Sequence, residues 1–198
     1  MPLVFIKPVA GKGLLGLWKM TEKPEDFPLL DHQASASFKS VSRRLEYICV
    51  RLLLAEMLPS ASAVIDHRAS GEPFIADGPH LSISHTKGYC SILLSDERRC
   101  GVDIEYISPR VSNVADHFLR PDEKARDVEH QLVYWTVKEA VYKYFSADDL
   151  QFQQILVLPF QLERQGTLLA ENMKTHEQAT VFYTLTDAYA LSYTFGPL

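Results

Sequence analysis

Two short segments carry residues whose types and spacing could do chemistry together. Gly101-Val102-Asp103-Ile104-Glu105 alternates apolar and acidic side chains, the period-two pattern of a strand. That pattern sets Asp103 and Glu105 on one face, with Cα atoms roughly 7 Å apart. The run Trp135-Thr136-Val137-Lys138-Glu139-Ala140-Val141-Tyr142-Lys143 reads as a helix. At 100° per residue it puts Trp135, Lys138, Glu139, Tyr142 and Lys143 on one face, and Val137, Ala140, Val141 and Tyr144 on the other. A strand with two carboxylates beside a helix with a third, flanked by lysines, can hold a divalent cation against phosphate. Mg²⁺ takes oxygen ligands and is usually shared between one or two carboxylates and substrate phosphates.

Taken singly, each segment has an ordinary explanation. Asp-x-Glu on a half-buried strand is commonly solvated, and Glu139 with Lys143 at i,i+4 makes a helix ion pair worth ~0.2–0.5 kcal/mol. An exposed Trp135 is less ordinary. A third segment lies upstream: Leu81-Ser82-Ile83-Ser84-His85-Thr86, another strand pattern, ending in a histidine between two hydroxyls.

In this order and at these intervals, Ser-Ile-Ser-His-Thr, Gly-Val-Asp-Ile-Glu and Trp-x-x-Lys-Glu-Ala-x-x-Lys resemble the 4′-phosphopantetheinyl transferase superfamily. The likeness is to its longer, pseudodimeric type, which activates peptide and polyketide synthases, and it runs from about Arg43 to Phe145. It implies an α+β fold of two similar halves, residues 1–97 and 98–198, each a small, mostly antiparallel sheet with a long helix packed on it. A ligand cleft would lie between them. The implied enzyme is of the holo-acyl-carrier-protein synthase kind. It moves the 4′-phosphopantetheine arm of coenzyme A to a serine of an apo-carrier protein and releases adenosine 3′,5′-bisphosphate.

The resemblance also implies roles. Asp103, Glu105 and Glu139 match metal-ligand positions, for Mg²⁺ or for Mn²⁺, which accepts the same oxygens. Glu139 is the first candidate base for the serine hydroxyl, and Glu123, in Phe118-Leu119-Arg120-Pro121-Asp122-Glu123, the second. Lys143 would neutralise the phosphate under attack, and Lys138 would help hold the pyrophosphate. His85, Ser84 and Thr86 match a contact to a coenzyme A phosphate; Arg43, Arg44 and Arg51 on the first long helix are further candidates. One position departs from the pattern: Glu72 stands in a turn where members often carry a phosphate-binding Lys, so either Arg68 or a helix arginine substitutes or coenzyme A is bound more weakly than is usual in the family. Two other readings of the same residues are a non-catalytic descendant that binds coenzyme A or a carrier protein, and a different Mg²⁺-dependent phosphate enzyme. The chain has no GxxxxGK[ST] phosphate loop.

Composition sets the bounds. The chain has 198 residues, 46% hydrophobic and 23% charged, with a net charge of −5. That describes a globular protein with a sizeable core and argues against a general nucleic-acid binder. Cys49, Cys90 and Cys100 form no CxxC pair, so neither zinc nor a disulfide framework is expected. The first twenty residues are broken by Lys7, Pro8, Gly11, Lys12 and Gly13, unlike a signal peptide, and no run reaches a membrane span. A cytoplasmic monomer is the expectation.

The elements that must position these residues follow from periodicity. Strands are predicted at Leu3–Val9 and Leu14–Thr21 around a hairpin loop at Ala10–Gly13, then a broken segment at Pro24–Asp31, then a helix from about Ala36 to Leu58 ended by Pro59. Strands follow at Ala63–His67, Leu81–Thr86, Tyr89–Ser95 and Gly101–Ile107, with turns at Ser70–Pro73 and Asp77–Pro79. Helices are predicted near Ser112–Leu119, Pro121–Val128 and Gln131–Phe145, and strands at Ile155–Leu158, Leu168–Ala170, Thr180–Leu185 and Tyr189–Phe195.

Overall fold

Two antiparallel sheets, each packed against one long helix, account for most of the chain in the computed structural model. It describes residues 2–9, 13–23, 26–27, 38–59, 64–96 and 99–196. The first sheet has the order β1-β2-β6-β5, from β1 (Leu3–Val9), β2 (Gly13–Lys19), β5 (His80–Thr86) and β6 (Tyr89–Ser95). The second has the order β7-β11-β10-β9-β8, from β7 (Cys100–Tyr106), β8 (Ile155–Val157), β9 (Gln165–Asn172), β10 (Gln178–Leu185) and β11 (Tyr189–Phe195). Every pairing within the two sheets is antiparallel. The architecture is therefore α+β. A small hairpin of β3 (Ile65–His67) and β4 (Pro73–Ile75) precedes β5. The helices are α1 (Val41–Met57), one turn of α2 (Ala115–Phe118) and α3 (Val128–Tyr144).

Three apolar clusters hold these elements together. Helix α1 sets Cys49, Leu53 and Met57 against Ile92 and Leu94 of the first sheet. Helix α3 sets Val133, Val137 and Val141 against Val181 and Ala190 of the second. Between the sheets, Leu15, Leu17 and Leu93 meet Val102, Ile104 and Leu191. Burial of an aliphatic side chain contributes ~1.5–3 kcal/mol, so this middle cluster is a substantial joint. The three cysteines are all buried and free, and burial pushes the Cys49 and Cys100 thiols up to about 12. They are small core residues without nucleophilic character. Among the described residues no helix is long and apolar enough to cross a membrane.

The periodicity reading matches the long elements closely and misses where tertiary partners intervene. The predicted helix at Ala36–Leu58 is observed at Val41–Met57; residues 36–37, the loop at 10–12 and most of 24–31 lie outside the described residues. The segment Ser112–Leu119 is a 3-10 helix, Pro109–Val114, leading into α2. The helix expected at Pro121–Val128 does not form. Glu123 N–H bonds back to the Arg120 carbonyl at 3.0 Å, while the Glu123 carboxylate accepts from the Arg120 N–H at 2.9 Å. The segment is thus a turn anchored inward. Helix α3 begins just after it, where the Asp127 side chain accepts from the His130 N–H at 2.9 Å as an N-cap. The β3–β4 hairpin was not expected beyond its first strand and its turn.

Helix α3 lies very close to β7 at Gly101. A Cβ on Gly101 would run into the Ala140 carbonyl oxygen, so only glycine permits this approach. Gly101→Ala is expected to push α3 off β7 and to destabilise the protein by ~1–3 kcal/mol, read as a lower urea midpoint. An unchanged midpoint would show that the contact yields freely.

Candidate functional site

The close seating of α3 on β7 brings the carboxylate strand and the Glu-Lys helix to one cleft of about 380 Å³. Asp103, Glu105, Trp135, Glu139 and Lys143 line one side. Ile83, Ser84 and His85 of β5, with His67 and Pro73 of the small hairpin, line the other. The cleft is walled by both sheets, and its chemistry is concentrated where β5 and β7 run side by side.

Asp103 is the centre of the polar network. It is only 5% exposed, which corrects the expectation of a solvated strand carboxylate. Its Oδ1 accepts from Lys143 Nζ at 2.7 Å and from Ser84 Oγ at 2.7 Å. Its Oδ2 is buried with no hydrogen-bond partner. Lys143 Nζ also donates to the Val102 carbonyl at 2.9 Å. Glu105 Oε2 accepts from Thr86 Oγ1 at 2.7 Å. Burial raises Glu105 above the ordinary carboxylate range, and donors from Thr86 and Trp135 oppose that rise. Glu139 has no such help: burial and then the charge of Asp103 push it up to about 7, against the pull of Lys143.

This donor set suits a hard cation. Among the described residues no three His, Cys, Asp or Glu side chains already converge on a metal position. Yet the site holds a buried carboxylate oxygen without a partner, and three mutually repelling carboxylates of which one is driven toward neutrality. Oxygen-only donors with unrelieved negative charge are what Mg²⁺ or Mn²⁺ would neutralise.

The other candidates divide into three groups. His85 lines the cleft, held below its ordinary pKa by burial, with Glu46 opposing. Its Nε2 is 3.4 Å from Arg43 Nη1 and its Nδ1 is 3.5 Å from Glu46 Oε2, so Arg43 reaches the cleft margin from α1. Arg44 and Arg51 do not join it: Arg44 Nε donates to the Phe38 carbonyl at 2.7 Å, and the Arg51 guanidinium stacks 3.4 Å above the Tyr47 ring. Thr86 does not line the cleft but touches Glu105.

Lys138 and Glu123 lie elsewhere altogether. The Lys138 side chain is 0% exposed and its Nζ lies 2.7 Å from Glu123 Oε2, whose side chain is 1% exposed. Nζ donates as well to the carbonyls of Phe118 at 2.8 Å and Phe152 at 3.1 Å, and Glu123 Oε1 accepts from the Val157 N–H at 2.8 Å. Burial draws the Lys138 ammonium below its ordinary pKa while Glu123 opposes. All three lysine donors and both carboxylate oxygens are committed, so this pair pins α3 to the turn before it and to β8. Neither residue lines the cleft, which leaves no place here for the expected pyrophosphate contact or second base.

Glu72 stands 3.7 Å from Arg68, whose guanidinium lies 4.7 Å from the Phe74 ring. Both border a second cavity of about 130 Å³ with His80, Arg99 and Lys143. Lys143 and Pro73 border both spaces, so the two adjoin. His67 and Arg99 were not singled out from sequence, because no local pattern marks them and tertiary packing brings them in; Ser82 opens the Ser-Ile-Ser-His-Thr motif but was given no role.

A family model matches residues 99–194, and its description is the 4′-phosphopantetheinyl transferase superfamily. This region is similar to that superfamily. The matched residues include β7 and α3, hence Asp103, Glu105, Glu139 and Lys143. The chain is similar to "4′-phosphopantetheinyl transferase AcpT" of Salmonella typhi and of Salmonella typhimurium, each 31% identical over 116 residues, covering 51% of this chain and 58% of the relative. It is also similar to "4′-phosphopantetheinyl transferase psf-1" of Bacillus pumilus, 28% identical over 142 residues, covering 63% of this chain and 60% of the relative. The matched stretch spans about three-fifths of the length of these superfamily members.

Two expected outcomes follow. Removing one partner of a fully buried ion pair leaves an uncompensated charge, so Glu123→Ala should cost ~3–5 kcal/mol in urea unfolding. The Glu123→Leu/Lys138→Met double variant should lose clearly less; an equal loss would mean that the pair's charge is immaterial. For Glu139, the folded chain keeps its proton up to about pH 7, whereas its ordinary value is 4.5. The folded state therefore binds more protons in that window, and stability falls as pH rises from about 4.5 to about 7, then levels. With no divalent ion added, Glu139→Gln should flatten that decline and raise the melting midpoint at pH 8. A variant curve parallel to the wild type would contradict it.

Proposed function

We propose that this chain transfers the 4′-phosphopantetheine arm of coenzyme A to a serine of an apo-carrier protein, and that it is of the longer type in which one chain carries both halves of the cleft. The observation that carries this reading is the convergence of Asp103, Glu105, Glu139 and Lys143 on one cleft inside the region matching the family. A cleft walled by both sheets supports the two-half arrangement, with residues up to Ser95 in the first sheet and from Cys100 in the second.

In this reading Asp103, Glu105 and Glu139 hold a divalent ion, Mg²⁺ or Mn²⁺, which when bound neutralises charge gathering on the pyrophosphate. Glu139, facing the cleft beside Asp103 and Lys143, serves as the general base and takes the serine proton as the hydroxyl oxygen attacks the β-phosphorus. The bond from that phosphorus to the bridging oxygen breaks, and adenosine 3′,5′-bisphosphate leaves with the electron pair. Lys143, at the junction of the two cavities, stabilises the phosphoryl oxygens. Arg43, beside His85 at the cleft margin, and Arg68 with Arg99 beyond Lys143 offer positive charge to the remaining phosphates. A reducing cytoplasm suits three buried free thiols.

The test is incubation with coenzyme A, Mg²⁺ and an apo-carrier protein, followed by intact-mass measurement of the carrier. A gain of one phosphopantetheine is expected, and Lys143→Met should lower turnover on the order of 10²-fold or more. Coenzyme A binding without any mass gain would mark a non-catalytic binder. Breakdown of coenzyme A without transfer would mark a hydrolase.

A further inference from the structure

The strand β7 is an edge of its sheet, paired only with β11, so the amides on its other side need acceptors. They find hydroxyls. The N–H groups of Val102, Ile104 and Tyr106 donate to Ser82 Oγ at 3.0 Å, Ser84 Oγ at 3.2 Å and Thr86 Oγ1 at 3.4 Å. The separation along the chain is 20 residues in each case, so the row of hydroxyls on β5 runs in step with every second amide of β7. A hydroxyl also has a proton to give. Ser84 gives its proton to Asp103 and Thr86 gives its own to Glu105, both at 2.7 Å.

We propose that Ser82, Ser84 and Thr86 are positioning residues, a hydroxyl row on β5 that clamps the edge of β7 and aims the two carboxylates of β7 into the cleft. The assignment replaces direct contact with coenzyme A as the role of Ser84 and Thr86. It rests on reading Asp103 and Glu105 as the holders of the divalent ion. The chemistry fixes the direction of each bond. An amide can only donate and an ionised carboxylate can only accept, so Ser84 and Thr86 are each held between the two with a single orientation, while Ser82 caps the Val102 amide. Serine or threonine serves at each position; alanine or valine at 84 or 86 would free both the amide and the carboxylate. Partners that orient ligating carboxylates typically change metal affinity by ~10–100-fold when removed.

The experiment measures Mn²⁺ binding to the full chain without coenzyme A, by electron paramagnetic resonance of free Mn²⁺, together with the thermal midpoint. Thr86→Val, nearly the same shape, should weaken Mn²⁺ binding about ten-fold or more, and Thr86→Ser should restore it to within about three-fold of wild type. A hydroxyl serving only to glue the sheets would lower the midpoint and leave Mn²⁺ affinity unmoved; that result overturns the proposal. If Thr86→Val fails to fold, Ser84→Ala carries the same comparison through Asp103. A wild-type protein that binds no Mn²⁺ overturns the metal reading of the carboxylates and this proposal with it. Wild-type binding that neither variant weakens overturns the positioning role alone.

Discussion

The closeness of α3 to β7 is the constraint on which the cleft depends. With no side chain at Gly101, the Ala140 carbonyl comes down onto the strand. That contact fixes the height and rotation of the helix, and with them the reach of Glu139 and Lys143. Lys143 is long enough to bond both Asp103 and the Val102 carbonyl only because the helix lies this low. The tuning of Glu139 follows from the same distance, since its pKa is set first by burial and next by Asp103.

The seating is secured from behind by polar as well as apolar contacts. Lys138 is one residue from Glu139 but points into the interior, where Glu123 and two carbonyls take its three protons. Buried charge is costly unless it is fully paired, so the pair tolerates little rotation of the helix. Adjacent residues thus divide the work: Lys138 holds the helix in register with the turn before it and with β8, and Glu139 faces the cleft.

Much of this was legible in the sequence because the long elements advertise their own periodicity. The alternation in Gly101–Glu105, the helical run Trp135–Lys143 and the strand before Thr86 were readable as elements, and six of the residues picked from them line one cleft. The failures share a cause. Rotation at 100° per residue assumes a helix with one wet face, but α3 is buried at Leu132, Val133, Tyr134, Thr136, Val137, Lys138, Ala140 and Val141. Lys138 therefore had no solvent to face. The Pro121–Val128 stretch carried good helix-start residues, yet Glu123 finds partners at Lys138 and Val157, far off in sequence, and no local pattern records them. Arg44 and Arg51 were plausible by charge alone, and charge does not say that one meets a carbonyl and the other an aromatic ring. The hydroxyls of β5 flank a histidine and match a ligand contact by resemblance alone; their partners on β7 lie 19 or 20 residues away.

The capped edge of β7 has a consequence for how this molecule behaves among its own copies. A strand with a free row of amides is a template on which another chain can add a strand, the first step toward self-association. Natural sheets blunt such edges with charge, bulges or a covering segment. Here three hydroxyl side chains occupy the amides instead, while the strand's own carboxylates turn into the cleft. The strand that carries Asp103 and Glu105 is thereby closed to intruding backbone while its carboxylates still face the cleft.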